Sequence, residues 1–121
     1  MATIKSYSDL EQSRKLAKIL PLESADMHYS KDFDGSWFVS LAKYTSVKIP
    51  KYVGNIEEHL LPCWSLAVLL NVLPEVSLNS FKDGNWNAMV NKNGKMIYGD
   101  TGDPVDACYE LILKLHKLNL L

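Results

Sequence analysis

Asn93-Gly94 lies between two runs with strand character, residues 86–90 and 95–98. An Asn-Gly pair accepts the two positive φ angles of a tight two-residue turn, so the flanking runs are expected to return antiparallel. Asp83-Gly84 marks a second hairpin turn, and residues 76–81 before it alternate apolar and polar. Residues 76–98 are therefore predicted to form a three-stranded antiparallel meander, with 99–102 as a polar turn. Asp103 then supplies a cap oxygen and Pro104 suits the first position of a helix. Val105, Cys108, Tyr109, Ile112 and Leu115 recur at helical spacing, which gives that helix an apolar stripe.

The N-terminal half carries the same two kinds of signal. Ser8-Asp-Leu-Glu11 fits a capping box, followed by Leu10, Leu16, Ala17, Ile19 and Leu20 on a helical face that Pro21 ends. Arg14, Lys15 and Lys18 suit the later turns of that helix. Residues 27–29 form a short predicted strand and 31–35 a turn rich in Asp and Gly. Residues 37–47 predict one long strand or a bent pair with Trp37, Val39 and Leu41 on one face, ended by Pro50. An ordered loop carrying Tyr52 and Val53 is expected over 51–59. Pro62 then opens a second helix over 62–73, ended by Pro74, whose residues are apolar nearly all round. A helix of that kind is expected at the buried centre of a fold. The order helix, strands, helix, strands, helix predicts a single α+β domain over residues 1–121, with an antiparallel sheet packed by about three helices.

Composition narrows the function classes. Thirteen Lys and Arg against fourteen Asp and Glu give a net charge of −1, which leaves no cationic excess for a long nucleic acid. Arg14 is the sole arginine, so the planar fork that reads base edges is nearly absent. Near-neutrality also gives little colloidal repulsion, and the apolar tail Leu118-Asn-Leu-Leu121 is expected to dock on the core or on a second copy of the chain. Two cysteines make no disulfide scaffold and fit a reducing compartment. The N-terminus lacks a basic region followed by an apolar run, and the apolar stretch at 60–73 is too short to span a membrane. The expectation is a soluble cytoplasmic protein with no membrane partner.

Few residues suggest chemistry. Cys63 would sit in the first turn of the second helix, where unpaired N–H groups lower a thiol pKa, with His59 as a base four residues earlier. A small buried hydrophobe explains Cys63 better, and Cys108 lies on the stripe of the last helix. Asp100, Asp103 and Asp106 are spaced by three, and a carboxylate cluster can hold a divalent cation, but helix capping explains Asp103 and Asp106 and a turn explains Asp100 without a metal. Asp32 and Asp34 fit a turn in the same way. His28, His59 and His116 show no metal-ligand spacing, and no phosphate loop, dinucleotide fingerprint or nucleophile elbow is present. No motif calls for a cofactor, and no catalytic residue is expected.

Aromatic residues interleaved with lysines carry the remaining signal. Trp37, Tyr44, Trp86 and Tyr98 fall on predicted strands, with Lys48 and Lys95 among the lysines beside them. Aromatic faces stack on bases and ammonium groups meet phosphates, so these six are the candidate ligand-binding residues for a nucleotide-like molecule. Inward aromatics with outward lysines, as in any helix-covered sheet, explain the same pattern.

Two segments resemble known sequences. One is Pro62-Cys-Trp-Ser-Leu-Ala67, running on to Leu73-Pro74. The other is Pro104-Val-Asp-Ala-Cys-Tyr-Glu110, followed by Leu113-Lys-Leu-His116 and Leu118-Asn-Leu-Leu121. With Leu20-Pro-Leu-Glu-Ser-Ala-Asp26 upstream, they resemble a group of small proteins of Bacteroides genomes, their phages and mobile elements. The resemblance spans most of the chain and is weakest between positions 30 and 60. That group has no established activity, so the resemblance transfers no functional residue. It implies a setting, an accessory gene of a phage or integrated element, where small proteins often inhibit or sequester parts of host defence. The expectation is a non-enzymatic binding protein for a nucleotide-like signal or a host protein. An interaction module without a small ligand and a thiol-dependent enzyme are the alternatives.

Overall fold

Two three-stranded antiparallel sheets and three helices make up the predicted α+β class. The computed structural model describes residues 4–47 and 59–121. The expected stop at Pro50, the loop carrying Tyr52 and Val53, and Lys48 lie outside the described residues. The chain divides into two compact units. The N-terminal unit is Asp9–Ser65; the C-terminal unit is Leu66–Leu121 with the leading residues up to Ser8.

In the N-terminal unit, α1 spans Leu10–Leu16. Its capping box is one residue later than predicted: Gln12 N donates to Asp9 Oδ1 (2.8 Å) and Asp9 N to Gln12 Oε1 (3.0 Å). Gln12 is buried and Glu11 exposed, and a neutral amide enters a buried box without desolvating a charge. Tight turns carry the chain from Leu16 to Leu20, ahead of Pro21. β1 (Met27–Lys31) is the central strand, flanked by β2 (Trp37–Ser40) and β3 (Leu60–Cys63). The β1–β2 turn is closed by Ser36, whose Oγ and N both donate to Asp34 Oδ1. These bonds hold the Asp34 carboxyl below its ordinary pKa.

Two expectations fail in this unit. The strand predicted over 37–47 stops at Ser40, a 3-10 turn forms at Tyr44–Ser46, and Leu41 is 83% exposed instead of sharing a face with Trp37 and Val39. Side chains take up the backbone groups that a ladder would need: His28 Nδ1 contacts the Ala42 carbonyl at 2.6 Å and Ser46 Oγ donates to the Lys43 carbonyl at 2.7 Å. The second helix does not begin at Pro62. Residues 60–63 are all buried in β3, with His28 opposite Pro62 and Met27 opposite Cys63. A short apolar run fits a buried strand as well as a helix, and β3 lies at the sheet edge, where proline is tolerated. Trp64, fully buried, follows, and its Nε1 donates to Ser24 Oγ at 2.9 Å.

In the C-terminal unit, α2 is only Leu66–Val72, and Leu69 is its one buried residue. It is therefore not the buried central helix expected, because Cys63 and Trp64, which made the pattern apolar all round, precede it. The meander matches prediction in type and order: β4 (Val76–Ser80), β5 (Trp86–Lys92) and β6 (Lys95–Thr101). Asn93 and Gly94 have φ of 53° and 82°, as the tight turn requires. β6 continues through the predicted polar turn to Thr101.

α3 (Pro104–Lys117) is capped by Asp103, whose Oδ1 accepts from Val105 N (2.9 Å) and Asp106 N (3.2 Å). Val105, Cys108, Leu111, Ile112 and Leu115 are fully buried, as are Ala88 and Val90 on β5. Helix and sheet approach so closely that a Cβ on Gly99 would clash with the Ala107 carbonyl oxygen. The tail stays partly open, with Leu118 at 47% and Leu121 at 41% exposure.

Candidate functional site

The N-terminal unit contains a groove of about 320 Å³ between the end of α1, the turn at Tyr44 and β3. Leu60, Leu61 and Pro62 form an apolar wall, Tyr44 contributes an aromatic ring, and Arg14 and Lys18 contribute two cations. Among the described residues no carboxylate lines it. Arg14 lies in α1 and Lys18 in the tight turns that follow it, and both line the groove. Both are exposed, so a ligand anion reaches them without burying an unpaired charge.

Trp37 orients Arg14, one of these two cations. Arg14 Cζ lies 5.8 Å from the centroid of the Trp37 ring, and Lys31 Nζ lies 5.9 Å from it. The β1–β2 register sets Lys31 directly opposite Trp37. An indole face attracts a guanidinium, which narrows the conformations the Arg14 side chain samples. Tyr44 is placed by its 3-10 turn, and the stretch before that turn is tied to β1 by the buried His28 through Ala42.

Of the six residues proposed from sequence, five belong to one or other of the two units and one lies outside the described residues. Trp37 and Tyr44 belong to the N-terminal unit, Tyr44 in the groove and Trp37 against Arg14. Lys48 lies outside the described residues. Trp86, Lys95 and Tyr98 belong to the C-terminal unit. Trp86 shares a sheet face with the buried Ala88 and Val90, whereas Lys95 and Tyr98 line an open groove of about 450 Å³ with Met96, Lys114, Lys117 and Leu118. Arg14 and Lys18 were missed as ligand residues because macrodipole complementarity already explained them. Their spacing in the sequence was visible, but their meeting with Tyr44 in one groove, and that of Arg14 with Trp37, is set by tertiary packing.

The two supports for thiol chemistry are absent. Cys63 lies in a strand, fully buried, and not in the first turn of a helix. Four residues of extended chain separate His59 from Cys63 by about 13 Å, beyond hydrogen-bond reach. Burial pushes the Cys108 thiol up to about 12, with the Asp103 carboxylate adding to the rise, so this thiol stays protonated. Asp103 is occupied by capping and by Lys5 N at 2.7 Å, and Asp106 pairs with Lys5 Nζ at 2.8 Å. Among the described residues no group of three His, Cys, Asp or Glu side chains could hold a metal ion. No helix there is long and apolar enough to cross a membrane.

No protein-family model, curated protein or solved structure matches the chain.

Proposed function

We propose that this chain is a non-enzymatic binding protein of phage or mobile-element origin that sequesters a nucleotide-like host signal in the groove of its N-terminal unit. The observation that carries the reading is the groove's lining: two cations, a tyrosine and an apolar wall, with no carboxylate among the described residues. A flat base fits against Leu60, Leu61 and Pro62 with Tyr44 as its stacking partner, and a phosphate meets Arg14 and Lys18. A volume of about 320 Å³ suits one small ligand. The genetic setting comes from the resemblance to small Bacteroides phage and mobile-element proteins, and in that setting the protein acts in the host cytoplasm.

Native mass spectrometry after incubation with mixed nucleotides and cyclic nucleotides tests this proposal, and reads self-association at the same time. A retained mass in the nucleotide range, lost in a folded Arg14→Ala, Lys18→Ala variant, is the expected result. An unliganded spectrum across the whole mixture would overturn the reading.

A further inference from the structure

We infer that the open groove beside β6 in the C-terminal unit is a docking surface for an acidic peptide segment carrying one large apolar side chain. The inference is independent of the nucleotide reading, because it rests on different residues.

Met96, Tyr98 and Leu118 are 44%, 49% and 47% exposed, and all three line the same depression. Lys95, Lys114 and Lys117 line it too, and among the described residues no carboxylate does. An apolar centre with a charged rim is the arrangement of a protein interface. Lys114 is engaged, by Glu110 at 3.3 Å and by the Tyr98 carbonyl. The ammonium groups of Lys95 and Lys117 have no ion-pair or hydrogen-bond partner among the described residues, so the rim carries uncompensated positive charge.

Charge complementarity decides the occupant. The rim calls for carboxylates on either side of whatever enters the groove. The depression is open and shallow, with Met96, Tyr98 and Leu118 half exposed along it, so a partner's apolar side chain can cover them while its carboxylates meet the lysines. Strand addition along β6 is disfavoured, because Lys114 already occupies the Tyr98 carbonyl on that edge. The partner therefore binds through side chains, with a leucine-like residue over Met96, Tyr98 and Leu118 and glutamates at Lys95 and Lys117.

The test uses the full chain and a fluorescein-labelled acidic dodecapeptide with one central leucine, read by fluorescence anisotropy. Its counterpart with lysines for glutamates serves as control. The acidic peptide should bind and the basic one should not, with affinity falling as salt rises. Lys95→Glu with Lys117→Glu should weaken binding on the order of tenfold or more. Both lysines belong to solvent-facing positions, and circular dichroism verifies that the variant folds. Leu118→Ser should weaken binding independently of charge. Equal binding of both peptides, no binding of the acidic one, or an affinity unmoved by the charge reversal would each overturn the inference. So would sedimentation with phosphatidylserine vesicles in the absence of peptide binding, which would make the surface a membrane contact.

Discussion

Lys114 Nζ donates a 2.7 Å hydrogen bond to the main-chain carbonyl of Tyr98 and lies 5.5 Å from the centroid of the same residue's ring. Tyr98 is on β6, the edge strand of the meander. The two-residue turn makes Lys92 and Lys95 a hydrogen-bonded pair, so alternation directs the backbone groups of Met96, Tyr98 and Asp100 away from β5. One lysine from α3 thus occupies an acceptor that a second strand would otherwise use, which is a known way of blunting a sheet edge.

Replacing Lys114 should expose that edge. Lys114→Ala is expected to cost less than about 1 kcal/mol, because the ammonium is largely solvated. The larger effect should be concentration-dependent self-association, read by sedimentation velocity. A variant that stays as dispersed as the parent would show that the lysine does not guard the edge.

Gly99→Ala should destabilise the C-terminal unit by about 1–3 kcal/mol, since the helix backbone must move away from the new methyl group. The clash is with the Ala107 carbonyl, a rigid group, so side-chain rearrangement cannot relieve it. Urea unfolding should give a lower midpoint. Gly102→Ala, with open space around its Cβ, is the matched control and should move the midpoint far less.

Trp37 is a positioning residue in the proposed ligand site, since it acts through Arg14. Trp37→Leu should weaken a bound nucleotide several-fold but leave the corresponding nucleoside unaffected, because only the phosphate needs Arg14. Isothermal titration with both ligands reads the split. Equal weakening for the two would make Trp37 a structural residue only.

Both thiols should be inert in the folded protein. An Ellman titration at neutral pH should report no fast-reacting cysteine until denaturant is added, and then two. Cys108 also gives stability an alkaline limit. The unfolded chain releases its proton near the ordinary value of 9.0, the folded one near about 12. Its contribution is therefore complete below about pH 9 and is lost as pH rises toward 12. Cys108→Ala should flatten that part of the stability profile; an unchanged slope would contradict the assignment.

The meander and α3 were legible because their signals are local. Asn93-Gly94, Asp83-Gly84 and Asp103-Pro104 each dictate a backbone geometry within two or three residues, and the observed φ angles and cap bonds follow. The segment at 60–73 misled for the opposite reason. Its apolar run is compatible with strand or helix, and the pairing of Pro62 with His28, more than thirty positions away, decides between them. The capping box shifted by one residue because Ser8/Glu11 and Asp9/Gln12 satisfy the same pattern, and burial of Gln12 selects the second.

The amino-acid sequence by itself determined the α+β class, the hairpin turns, the capped last helix and the shortage of charge for binding long nucleic acids. Only the tertiary structure decided that residues 27–40 and 76–101 form separate sheets, and that Arg14, Lys18 and Tyr44 line one groove. Turn and cap preferences are energies of neighbouring residues, so they are written along the chain. A binding groove is made of side chains far apart in sequence, and their meeting depends on which apolar surfaces bury each other.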